Sequence, residues 1–191
     1  MNRTPKTLLS LAAALAGAAS GYFAVQKFAD RPAAAVPMGE WRTREVAGLR
    51  VEAPGDFQST PLDLGAAQQF VEVSEMHFFK APGFEIDVLR TVYKAEIELN
   101  FDGAAQGAVD GIARLDGIRN VQHTATELTV SGKPARRISI TAERWRKALR
   151  VEGLLISDGQ AYYQVQAIFD PGNRQAPADA DRLLKSVQLL P

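Results

Sequence analysis

The chain has 191 residues, 46% hydrophobic and 23% charged, proportions that exclude a wholly disordered chain, a collagen-like repeat and a polytopic membrane protein. Twenty-two basic residues balance twenty-two acidic ones, so nothing in the net charge points to nucleic acid. With no cysteine, disulfides, thiolate metal sites, a cysteine nucleophile and a cysteine-linked lipid anchor are all excluded.

Arg3 and Lys6 precede a run of twenty uncharged residues, 7–26. As a helix this run would be about 30 Å long, the thickness of a bilayer core. It is rich in alanine and holds only four leucines. Two readings stay open. One is an uncleaved transmembrane anchor, oriented by Arg3, Lys6 and the terminal amine on the cytoplasmic side. The other is a cleaved secretory signal, with Leu8–Leu15 as apolar core and small-residue sites around Ala14–Ala16 and Ala16–Ala18. Either places the rest of the chain outside the cytoplasm: at the cytoplasmic membrane with the domain in the periplasm, or soluble in the periplasm after cleavage. The organisation expected is an anchor or signal over 1–29, a Pro- and Ala-rich linker over 30–39, and an extracytoplasmic domain over 40–191.

From Leu49 the pattern is mostly that of strands. Leu49, Val51 and Ala53 alternate before the Pro54-Gly55-Asp56 turn. The runs 70–79 and 84–93 flank a hairpin-like Ala81-Pro82-Gly83. In the second run Phe84, Ile86 and Val88 share a face with Arg90. Glu85, Asp87, Leu89 and Thr91 share the other, expected to be the wetter face of an antiparallel sheet.

The period changes after Asn100. Asp102 is the expected N-cap of a helix striped by Ala105, Ala108, Val109 and Ile112 and ended by Asp116-Gly117. Gly103, Gly107 and Gly111 lie four apart on it, fitting either close packing on a sheet or a docked partner. Strands are expected over 121–130, 135–145, 148–157 and 161–170. A last helix near 178–186, introduced by Pro177, carries Ala180, Leu183, Leu184 and Val187 inward. Strands, helix, a run of hairpin strands, helix: this order gives an α+β fold, an antiparallel β-sheet flanked by helices, preceded by the N-terminal hydrophobic helix.

Several strings carry a resemblance. Pro54-Gly55-Asp56-Phe57 after the early strand is similar to the opening of the Mog1/PsbP-like group, which includes bacterial DcrB-type proteins. Val130-Ser131-Gly132-Lys133-Pro134-Ala135-Arg136-Arg137 resembles its small-loop, basic-strand step. Ala161-Tyr162-Tyr163-Gln164-Val165, followed by a helix ending in Leu184-Lys185-Ser186-Val187, resembles its closing strand, helix and short apolar tail. The resemblance covers most of residues 41–190 and implies a sandwich of sheet and helices used for binding and assembly, with no family catalytic motif. Many relatives are acylated on a cysteine; here the apolar N-terminus would replace that anchor.

Catalytic patterns are sparse. His77 and His123 stand alone, and a shared metal site would need the sheet to unite them with Glu75 or Glu127. Ser131 lies in a strand–turn–strand, not a nucleophile elbow. No Walker or dinucleotide motif occurs, so no cofactor is expected. The carboxylates Glu85 and Asp87 could do general acid/base work if set apart in pKa. An apolar cleft lined by Phe78, Phe84, Tyr93 or Phe101 could carry a small ligand. The strongest feature is basic: Arg136, Arg137, Arg144, Arg146, Lys147 and Arg150 fall within fifteen residues, around Trp145. Arg144 and Arg146 are expected on one strand face with Trp145 on the other, and Arg150 near them across a turn. Such a patch suits an envelope protein or an anionic ligand; a membrane contact runs through 7–26, and nucleic acid is not expected. The function expected is therefore a membrane-tethered or secreted non-catalytic accessory protein of the cell envelope, with a small apolar-ligand carrier or a Glu85/Asp87 enzyme as alternatives.

Overall fold

The computed structural model describes residues 37–62 and 64–191. The apolar run 7–26 and most of the linker lie outside them. Among the described residues no helix is long and apolar enough to cross a membrane.

The elements in order are β1 (Arg42–Val46), β2 (Leu49–Ala53), β3 (Gln58–Thr60), a 3-10 turn (Gly65–Phe70), β4 (Val71–Ala81), β5 (Phe84–Tyr93), α1 (Phe101–Ala113), β6 (Ile118–Val130), β7 (Lys133–Arg144), β8 (Lys147–Asp158), β9 (Ala161–Phe169), α2 (Ala176–Ser186) and β10 (Gln188–Leu189). Seven strands form one antiparallel sheet, ordered β3-β4-β5-β9-β8-β7-β6. The other three form a small sheet, β1-β2-β10. The α+β expectation holds. The apolar tail after Ser186 becomes a short strand on β2, and Arg42–Val46, which carries little hydrophobic alternation, is a strand because β2 pairs with it.

The main sheet is covered on both faces. Against one face lie the small sheet and α2, with Leu49, Val51, Ile86, Val88, Val165, Ala167, Ala180 and Leu183 between them. Against the other lies α1, closing over Met76, Leu89, Tyr93, Ile138, Ile140, Val151, Leu155 and Tyr162. Gly107 and Gly111 are buried with Ala104, Ala108 and Ile112 on the inner side of α1. The glycine stripe therefore packs within the domain, and Gly107→Leu is expected to overfill that contact and lower stability by about 1–3 kcal/mol in a denaturant titration. The N-cap of α1 is Asn100, whose Oδ1 accepts from the Gly103 amide at 3.0 Å. Asp102, the expected cap, instead sits in the first turn and pairs with Arg136 at 2.7 Å.

The double covering overturns one expectation. Glu85 and Asp87 share a face with Leu89 and Thr91 as their spacing requires, but that face is not wet: each is 1% exposed beneath the α1 layer. A polar row runs along β9 there and ends on Asp87 of the neighbouring β5. The Tyr162 hydroxyl donates to Gln164 Oε1 at 3.2 Å, Gln164 Nε2 to Gln166 Oε1 at 2.8 Å, and Gln166 Nε2 to Asp87 Oδ2 at 3.1 Å. Pairing of partners is what lets such groups stay inside.

Burial pushes the Tyr162 phenol well above its ordinary pKa near 10. The unfolded chain gives up that proton near pH 10 while the folded chain keeps it. Folding then binds more protons than unfolding, so stability present at neutral pH falls as pH climbs past 10. Urea midpoints from pH 8 to 11 are expected to drop less steeply in Tyr162→Phe than in the parent.

Candidate functional site at the β7–β8 hairpin

Turn chemistry places the basic residues. Among the described residues, three hairpin turns hold both central residues at positive φ: Ala47-Gly48, Ser131-Gly132 and Trp145-Arg146. Glycine takes the second position in the first two, as such turns favour. The third has none, with φ of 52° at Trp145 and 66° at Arg146. Left-handed backbone at two bulky residues costs on the order of 1 kcal/mol or more each. A neighbouring turn supports it. Trp145 N donates to Gly117 O at 3.1 Å, and the indole lies flat over Gly117, where an added Cβ would stand 2.7 Å from the ring. The indole is thus fixed in place while Trp145 remains 67% exposed.

β7 therefore ends at Arg144, and Arg146 is a turn residue that shares no strand face with it. Arg144 pairs in register with Lys147, on the α1 face of the sheet. Arg150 is on the opposite face, where it contacts Glu152 at 2.8 Å and Ser139 at 3.5 Å. Arg137 also faces that way, between Asp181 at 3.0 Å and Glu152 at 3.6 Å. Arg136 shares the α1 face but lies eight residues up the strand, about 26 Å away at strand rise. It bonds Asp102 at 2.7 Å and Glu127 at 3.0 Å beneath the Phe101 ring; the Asp102 bond, opposed by burial, raises its pKa. The linear cluster thus separates. Arg136, Arg137 and Arg150 are held by carboxylates, and the hairpin end keeps Arg144, Trp145, Arg146 and Lys147.

Beside that end is an open pocket of about 650 Å³ between the C-terminal end of α1 and the sheet. Its apolar surface comes from Leu115, Leu149, Ile168 and Phe169, and Trp145 stands at its wall. Lys80, Arg114, Arg144 and Lys147 supply positive charge and Glu85, Asp116 and Asp170 negative. Lys80 Nζ lies 3.9 Å from Glu85. The basic hairpin was legible in the sequence, but Lys80 and Arg114 were not singled out, and Gly117 was read only as the end of a helix. The Pro82-Gly83 turn could have found Lys80, because a two-residue connection puts it opposite Glu85.

The other candidates come apart. Asp87 is two register pairs further in than Glu85 and does not line the pocket. Phe84 lines it and stacks on Phe169 at 6.2 Å, whereas Phe101 lines a second pocket at the opposite end and Phe78 and Tyr93 line neither, so the four form no single cleft. His77 is 3.3 Å from Glu75 on β4, and His123 lies on β6, at the far side of the sheet across four intervening strands. No group of three metal-ligating side chains occurs among the described residues. Ser131 Oγ accepts the Leu189 amide at 3.1 Å, a tie between the β6–β7 turn and β10.

No family model and no curated protein sequence matches the chain. Solved structures do. CyanoP, a PsbP protein of Synechocystis sp. PCC 6803, aligns over 83% of this chain and 96% of its own at 6% identity and a TM-score of 0.54. LpqN of Mycobacterium tuberculosis, described as involved in cell envelope biogenesis, aligns over 80% and 91% at 14% identity and a TM-score of 0.50. The Pseudomonas aeruginosa protein PA94, of unknown function, aligns over 75% and 93% at 14% identity and 0.42. Strand order, the two helices and the CyanoP and LpqN alignments agree: the described domain has the Mog1/PsbP-like fold.

Proposed function

We propose that the chain is a non-catalytic accessory protein of the cell envelope, tethered or released outside the cytoplasm, that binds its partner at the β7–β8 hairpin end. One observation carries this reading: a strained turn holds a largely exposed tryptophan among basic residues at the mouth of an open pocket. Strain of this kind is retained where the conformation is used. The apolar run 7–26 supports the address, as does the shared fold with LpqN, described as involved in envelope biogenesis.

The test is compartment and form. A reporter that works only outside the cytoplasm, fused after Pro191, is expected to be active, and intact mass from membrane and soluble fractions separates an anchor from a cleaved signal. A fusion active only inside the cell ends the reading.

Two other functions have a foothold in the same pocket. Its apolar surface of Leu115, Leu149, Ile168 and Phe169 favours a small-ligand carrier, for which native mass spectrometry of freshly extracted protein would show added mass. Glu85 at its wall favours acid/base chemistry, but a carboxylate pair would need Asp87 to reach the same ligand, and Asp87 is engaged with Gln166 away from the lining.

A further inference from the structure

We propose that the hairpin end docks on anionic lipid headgroups, with the Trp145 indole at the headgroup level and Arg114, Arg146 and Lys147 toward the lipid phosphates. This rests on the envelope reading above and names its partner surface.

Three observations support it. The first is the indole. It is propped on Gly117 and held by a backbone hydrogen bond, yet mostly in solvent. A fixed ring with one apolar face and one polar edge suits a membrane interface, where tryptophan is enriched. The second is the charge. Arg114, Arg146 and Lys147 are exposed, and no carboxylate among the described residues comes within ion-pair distance of them. Arg136, Arg137 and Arg150, from the same two strands, are all engaged by carboxylates. Of the six basic residues close together in the sequence, the exposed ones with no carboxylate partner, Arg146 and Lys147, thus lie at this end beside Arg114, where an anionic surface would attract them.

The third is where the chain enters. Gly39 N donates to Pro54 O at 2.8 Å, and Gly55 packs on the Phe79 ring. Phe79 is two residues from Ala81, which lines the same pocket from the β4 side. Register carries this end of β4 through Phe84, Phe169 and Arg150 to the β7–β8 turn, so both lie at one end of the sheet. Ten residues separate the apolar run from residue 37, at most about 35 Å of chain. A bilayer holding residues 7–26 is therefore within reach of the end of the sheet where the hairpin stands.

The experiment uses the full chain carrying Trp41→Phe, which leaves Trp145 as the single tryptophan. Protein is reconstituted into phosphatidylcholine vesicles, with or without phosphatidylglycerol, containing brominated acyl chains. Flotation with vesicles reads the tether; quenching of Trp145 emission reads docking. The expected result is flotation in both and at least two-fold stronger quenching with phosphatidylglycerol, lost in Arg146→Glu/Lys147→Glu and reduced at high salt. Flotation with equal quenching in both vesicles, or with none, overturns the docking and keeps the tether. Charge-sensitive quenching with no flotation on neutral vesicles keeps the docking and overturns the tether. Absence of both overturns both. Absence of quenching while a photocrosslinker at position 146 captures one acidic envelope protein overturns the lipid surface in favour of a protein.

Discussion

Replacing Gln166 with leucine is expected to lower stability by about 3 kcal/mol, a fall in the thermal midpoint of about 10 °C for a domain of this size. The side chain is fully buried, accepts from Gln164 and donates to Asp87. Leucine fills much of the same volume but offers neither function. Gln164 Nε2 then loses its acceptor and Asp87 Oδ2 loses this donor, both in a site no water reaches from the helix side. Gln164→Leu should cost a similar amount, since it strands the Tyr162 hydroxyl and Gln166 Oε1. The double variant is the sharper measurement. It removes both ends of the Gln164–Gln166 bond together, so two groups lose partners where the single variants add up to four. Its loss should be near half the sum of the singles. Strict additivity in a urea titration would mean the three bonds do not form one row.

That row also marks the limit of sequence reading here. Alternation assigned the β5 side chains to correct faces: Ile86 and Val88 on one side, Glu85 and Asp87 on the other. It could not say what covers a face. Glutamine and carboxylate at alternate positions normally indicate solvent, and only the return of α1 across the sheet turns them into a buried network. Helix α2 was legible because Pro177 and the Ala180–Leu183–Leu184 stripe carry start and inner face together. The cap of α1 was not, since Asn100 and Asp102 both suit the role; the helix starts at Phe101, which makes Asn100 the cap and leaves Asp102 in the first turn, paired with Arg136. Similarly, six basic residues within fifteen look like one patch along the chain. A strand divides them between two faces, and carboxylates from β6, β8, α1 and α2 engage those not at the turn. The turn was expected one residue late, between 145 and 148, because Trp-Arg lacks the glycine that normally marks the central pair.

Gly117→Val tests whether the tip depends on the turn beneath it. Gly117 has φ of +77°, unfavourable for any β-branched residue, and a Cβ there would meet the Trp145 ring at 2.7 Å. The two penalties together are expected to cost about 2–4 kcal/mol. They separate in a second background. With Trp145→Ala the ring is gone, so valine at 117 should cost only the backbone part, about 1–2 kcal/mol. The difference between the two backgrounds measures the pressure of the indole on Gly117. In the Trp41→Phe chain the same substitution should change Trp145 emission and its rotational freedom, read as lower fluorescence anisotropy, because the support that fixes the ring has been displaced. If valine costs the same with and without the indole, the ring does not rest on Gly117, and the left-handed Trp145-Arg146 turn must be held by something other than the α1–β6 connection.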